Sequence, residues 1–171
     1  MRFPKEAATP THDALRFILR GHMIDINEVV RYPAIKAILG SDPLVRTDDL
    51  PPMTLRIAQE FLQNAVYRIE ANREGFFHRH QGTWLMLRSC SRSALQLLGM
   101  ALKCHFEAQV RGIDQKDLER EMLPPRWEGA VTSVREVLDY WADESIDLKR
   151  LSTIFAELMY IYEVSHPNRD E

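Results

Sequence analysis

Along most of this chain the apolar positions recur every three or four residues, the period of a helix with one face turned to a core. From near Thr11, Leu15, Ile18, Leu19, His22, Met23, Ile26, Val29 and Val30 form one such stripe, predicting a helix to about Arg31 whose core face they make. Pro33 suits the first turn of a short helix over AIKAIL, with Gly40 placed to end it in a left-handed conformation. Residues 41–52, SDPLVRTDDLPP, read as a loop. Thr54 fits as the cap of the next helix, which aligns Leu55, Ala58, Phe61, Leu62, Ala65, Val66 and Ile69 until Gly75 interrupts it.

FFHRHQGT is a connector, and Thr83 then caps the longest predicted helix, about 83–111, ending at Arg111 and Gly112. Its apolar face is wide. Trp84, Leu87, Ser91, Ala94, Leu98, Ala101 and His105 form one line, with Cys90, Leu97 and Cys104 beside it, as expected of a central helix covered on more than one side. IDQKDLEREM holds one helical turn or two. Pro124 and Pro125 introduce a helix whose Trp127 and Trp141 fall within roughly 40° of one another on the helical wheel, with Ala130, Val131, Val134, Val137 and Leu138 between. Ser145 caps a last helix with Leu148, Leu151, Ile154, Phe155, Leu158, Ile161 and Tyr162 on its face. The first ten or so residues and the tail after His166 and Pro167 are expected to fray. No segment alternates with period two and no repeat is visible, so the expected fold is all-α. It is one domain over residues 1–171, about six main helices around the long one, anchored by Trp84, Trp127, Trp141 and Phe155.

Length and composition narrow the class. A chain of 171 residues can bury roughly 70 % of the surface it exposes when unfolded. Its 45 % hydrophobic and 27 % charged residues are ordinary for a soluble globular protein. No apolar run approaches the roughly 18 residues needed to cross a bilayer, so no membrane contact is expected. MRFPKEAATP lacks the apolar stretch of a signal peptide, and two cysteines suit a reducing compartment. The net charge of −3 hides a gradient: residues 1–55 sum to 0, residues 56–112 to +4 and residues 113–171 to −7. That is too weak a basic patch for direct nucleic-acid binding.

The candidate chemistry is sparse. Cys90 and Cys104, fourteen apart on one helix, lie roughly 21 Å from each other along its axis, which excludes a shared disulfide or metal and marks both as core thiols. His78 and His80 in the connector are weak metal candidates, because no third ligand stands at a recognisable spacing. His22 and His105 fall on apolar faces, as core or boundary residues do. There is no Gly-x-Ser-x-Gly elbow, phosphate-cradling glycine loop or His-Glu-x-x-His pattern, so no catalytic residue is assigned and no cofactor is implied. Trp127, Trp141, Phe155, Tyr160 and Tyr162, at helical spacing, read as core packing ahead of a ligand pocket between the last two helices.

Three stretches in order, GTWLMLRSCSRSALQLLGMAL, PPRWEGAVTSVREVLDYWADES and IDLKRLSTIFAEL, resemble the C-terminal regulatory region of fungal zinc binuclear cluster transcription factors. The matching positions are Trp84 and Arg88, then Pro125, Trp127, Ala130 and Val131, then Tyr140, Trp141, Glu144 and Ser145. ALRFILRGHMIDINEVVRYPAI, with Tyr32 and Pro33, looks like an earlier piece of the same region, and together the pieces span about two thirds of the chain. The family's six-cysteine cluster, basic linker and coiled coil are not in these 171 residues, so the resemblance implies regulation without direct DNA binding by this chain. It further implies an all-helical fold, a nuclear location, protein partners and a response to a small-molecule effector; the candidate contact residues are Arg88 and Tyr140 from the matching positions and Tyr162 from the aromatic face of the last helix. The alternatives are a helical interaction scaffold unrelated to transcription, in which case a cytoplasmic location is expected, and a small-ligand or metal-binding enzyme using His78 and His80.

Overall fold

The computed structural model describes residues 14–40, 46–79 and 82–164, with side chains in the first helix from Leu19 onward. Thr11, the side chains of Leu15 and Ile18, the loop residues 41–45, His80 and the tail beyond Val164 lie outside the described residues. Six helices follow in order: α1 (Ala14–Leu39), α2 (Pro52–Asn72), α3 (Thr83–Arg111), α4 (Gln115–Met122), α5 (Trp127–Trp141) and α6 (Ile146–Val164). Short 3-10 turns occupy Thr47–Asp49, Arg73–Gly75 and Ala142–Glu144, and the described residues contain no strand.

α3 is the pillar. Its 29 residues touch each of the other five helices. Met86, Leu87, Cys90, Ala94, Leu97, Leu98, Met100, Ala101 and Cys104 are buried around more than half its circumference, with Ser91 and Ser93 among them. α1 lies on α2, and α5 lies on α6 and across α3. One continuous apolar cluster includes side chains of all six helices. The α2 face and the α5 face are buried as their periodicity predicts. On α6, Leu148, Phe155 and Tyr162 are buried while Ile154 and Ile161 face outward, because α6 rests against the bundle along one narrow line.

The ends of the helices depart from expectation in instructive ways. Pro33 does not begin a new helix but sits inside α1, where it cannot donate to the carbonyl one turn back. Ile24, Ile35 and Ile38 hold both halves of α1 against the bundle, and that burial outweighs the proline penalty. Gly40 is not left-handed; it carries no side chain because a Cβ there would come within 2.8 Å of the Lys36 carbonyl oxygen. Gly112, in contrast, ends α3 in the left-handed region at φ 63°, where glycine has no steric penalty. Thr54 and Thr83 are not caps: α2 begins at Pro52, and Thr83 is the first residue of α3, its hydroxyl donating to the His78 carbonyl. Pro124 and Pro125 precede α5 in a turn, with Arg126 at φ 67° and the Trp127 N–H donating to the Pro124 carbonyl. Ser145 does stand at the N-cap position of α6, its carbonyl accepting from Lys149 N–H.

The largest correction concerns the rotation of α1. The stripe expected to make its core face, Leu19, His22, Met23, Ile26, Val29 and Val30, is exposed, and the buried side chains are Ile24, Glu28, Ile35 and Ile38. A buried charge cluster accounts for this. Arg68 of α2 donates from Nε to Glu28 Oε1 at 2.9 Å, Ser93 of α3 donates to the same oxygen at 3.1 Å, and Arg92 reaches Oε2 at 3.2 Å. The Asp25 carboxylate lies 2.8 Å from Arg68 Nη2 but off the line of its N–H bonds, so that contact is Coulombic. Turning α1 to bury its apolar stripe would leave Arg68 charged and unpaired in the interior, a cost of about 3–5 kcal/mol.

Phe155, fully buried where α6 meets the core, tests the packing. Phe155→Ala is expected to lower stability in urea unfolding by about 3–5 kcal/mol. A loss below about 1 kcal/mol would mean that α6 is not docked as described.

Candidate functional site

The residues singled out in the sequence gather at two places on opposite ends of α5. At its C-terminal end, Trp141 is buried and donates from Nε1 to the Phe76 carbonyl at 2.7 Å, which ties α5 to the connector after α2. The Trp84 ring meets Trp141 edge-on at 5.6 Å, and Tyr140 meets it from another side at 5.0 Å. Phe77 packs against Tyr140 at 5.1 Å. The Arg79 guanidinium sits 5.9 Å from the Trp84 ring and 5.6 Å from the Trp141 ring, and pairs with Glu144. One turn beyond Trp84, Arg88 reaches Asp147 at 2.8 Å.

These contacts join the connector, the start of α3, the end of α5 and the start of α6 into one aromatic and arginine-rich junction. Its outer rim is open to solvent. Tyr140 is 59 % exposed, Phe77 48 % and Trp84 37 %. Trp84 is therefore a boundary residue and not the fully buried anchor expected, because it stands at the first turn of α3 where fewer neighbours surround it. Trp127, Trp141 and Phe155 do anchor the core. Phe77 and Arg79 are not among the residues the sequence singles out; their signal is the FFHR run, two aromatic residues and a cation in a segment too short to bury them.

At the other end of α5, Tyr162 is buried, in keeping with its place on the apolar face of α6, and is closed to a partner. Its ring lies edge-on to Trp127 at 5.5 Å and its hydroxyl donates to Glu119 Oε1 at 2.9 Å. The same carboxylate oxygen accepts from Gln115 Nε2 at 2.6 Å, and Gln115 Oε1 meets His105 Nδ1 at 2.8 Å. This chain of side chains pins α4 between α3 and α6. Beside it an open cleft of about 780 Å³ runs between α2, α4 and the start of α5, lined by Ile69, Glu70, Arg73, Arg120, Arg126 and Trp127 among others. Cations and carboxylates both line it; Arg126, for one, pairs with Glu70 at 3.1 Å.

The remaining candidates stand apart. His78 is exposed, its N–H donating to the Gly75 carbonyl, and among the described residues no three His, Cys, Asp or Glu side chains cluster as metal ligands. His22 is on the exposed stripe of α1, not in the core, whereas His105 is buried within the chain just described. Glu107, buried, accepts from the Thr47 N–H and hydroxyl and from Arg111, which clamps the loop before α2 onto α3. Burial pushes the Cys90 thiol up to about 12, with Arg68 opposing the rise and Glu28 adding to it. Burial likewise pushes Cys104 up to about 12, with Glu119 the largest further contributor.

The thiols give a pH test. Unfolded cysteines lose their protons near 9.0 and the folded ones only near 12. Between those values the unfolded chain binds fewer protons, so stability falls as pH rises through the window, by about 1.4 kcal/mol per unit per thiol. Urea unfolding across this range is expected to show that fall in the native sequence and a flatter profile in the Cys90→Ala, Cys104→Ala double variant. Equal slopes in the two proteins would contradict the burial of the thiols. No protein-family model, curated protein or solved structure matches this chain.

Proposed function

We propose that this chain is a non-enzymatic helical regulatory domain that acts through contacts with other proteins, of the type found in fungal zinc binuclear cluster transcription factors. The observation that carries the reading is the junction of Phe77, Arg79, Trp84, Arg88 and Tyr140, partly exposed and built of the residue types that dominate protein interfaces. Arg88 and Asp147 are each more than half exposed, so their pairing contributes little to stability and leaves Arg88 free to exchange it for a partner's carboxylate. The resemblance of the chain's helices to the regulatory region supports the transcriptional part of the proposal, with the nucleus as the place of action. The weak basic charge of residues 56–112 supports regulation without direct contact to nucleic acid. Against an enzyme using a thiol stands the position of both cysteines, which are held as neutral thiols when the thiolate is the nucleophile. A small-molecule effector is a second class of ligand, and the cleft beside Trp127 supports it, since its size falls in the range of ligand sites.

The test is a reporter assay in a fungal cell with the chain fused to an unrelated DNA-binding module. Reporter output is expected to change several-fold relative to the module alone. An Arg88→Ala, Tyr140→Ala variant should abolish that change while shifting stability by only about 1 kcal/mol. Output equal to that of the module alone would remove the transcriptional reading, and a fully active double variant would remove the junction as its contact surface.

A further inference from the structure

The exposed stripe of α1 does not belong to the junction. Leu19 is 54 % exposed, Ile26 57 %, Val29 73 % and Val30 71 %, with Met23 also exposed between them. They lie on the side of α1 opposite Ile24, Ile35 and Ile38, so the helix is apolar on two faces and only one of them is covered by this chain. A helix apolar on both sides is the pattern of a buried helix, not of one at a surface.

We propose that this stripe is the contact surface for a second copy of the chain, with the two α1 helices packed antiparallel across a two-fold axis. The spacing supports self-pairing. Leu19, Met23, Ile26 and Val30 stand at intervals of four, three and four, which read the same in either direction and form the a and d seam of a two-helix coil. An axis level with Ile24 and Asp25 then sets Leu19 of one copy against Val30 of the other, and Met23 against Ile26. The same operation sets Arg20 beside Asn27 on one flank of the seam, and His22 beside Val29 on the other. No like charges meet along that register. Further round the helix from the seam, Arg31 pairs with Glu60 at 3.2 Å and Asp25 lies against Arg68, so both charges are held within the protomer.

The area is sufficient. The five exposed side chains offer on the order of 500 Å² of apolar surface per copy, at the upper end of the patches found on monomers. With their polar rim they approach the roughly 800 Å² per partner of a stable interface.

Sedimentation of the full chain across micromolar concentrations tests this. The expected result is a species of twice 19.9 kDa at the upper concentrations. Ile26→Asp, and separately Val30→Lys, should each return the protein to 19.9 kDa with unchanged helical circular dichroism, since neither side chain enters the core. Tyr140→Ala, at the junction, should leave the dimer intact. A monomer at every concentration would overturn the proposal and leave the stripe to a different protein. A dimer that persists, with undiminished affinity, in both stripe variants would overturn it equally, by placing the contact elsewhere.

Discussion

A helix with buried side chains around most of its circumference stands only if neighbours cover it from several directions at once, and α3 imposes that constraint on everything else here. Leu87 near its start, Cys104 toward its end, and Cys90, Ala94, Leu97, Leu98 and Ala101 between them must all be kept from water. Each of the other helices supplies part of the cover: Ile35 and Ile38 from α1, Phe61, Leu62 and Val66 from α2, Leu118 and Met122 from α4, Val134 and Leu138 from α5, Phe155 from α6. The free energy comes from removing apolar surface from water, and small residues on α3, such as Ser91, Ser93, Ala94 and Ala101, let the covering helices approach.

Polar groups then fix how each covering helix is turned. The Glu28 and Arg68 pair with Ser93 fixes α1, the Glu107 clamp on Thr47 fixes the loop entering α2, and the His105, Gln115, Glu119, Tyr162 chain fixes α4. A buried ion pair adds little net stability over an apolar pair, but leaving either partner alone is costly, so such groups select one arrangement among several of similar burial. In α1 that selection has a visible consequence: its most regular apolar stripe is turned away from the bundle. In α5 it places Trp141 so that its indole N–H meets the Phe76 carbonyl, and the aromatic junction assembles around it.

How much of this was legible in the sequence follows from the physics of each element. α2 and α5 each have one apolar stripe, so periodicity alone identified both the helix and its buried face. The breadth of the α3 face announced a central position. α1 could not be read the same way, because it is apolar on two sides and the choice between them rests on Glu28 meeting Arg68, a pairing across forty residues that no local pattern reveals. Proline was read by its local preference, yet Pro33 sits mid-helix where tertiary packing outweighs that preference, and Pro124 and Pro125 form a turn. In the junction, Trp84, Arg88 and Tyr140 stand on helices whose residues the pattern singles out, whereas Phe77 and Arg79 lie in a connector too short to show any periodicity. The placement of Tyr162 depended on Glu119, 43 residues away.

If α3 is the member on which the others depend, it must be the last part of the molecule to open. Native-state hydrogen exchange resolved by residue tests this directly. The amides of residues 90–104 are expected to exchange the slowest, with opening free energies equal to that of global unfolding, while α1 and α6 open first. Amides in that stretch exchanging ahead of those in α2 or α5 would contradict the account.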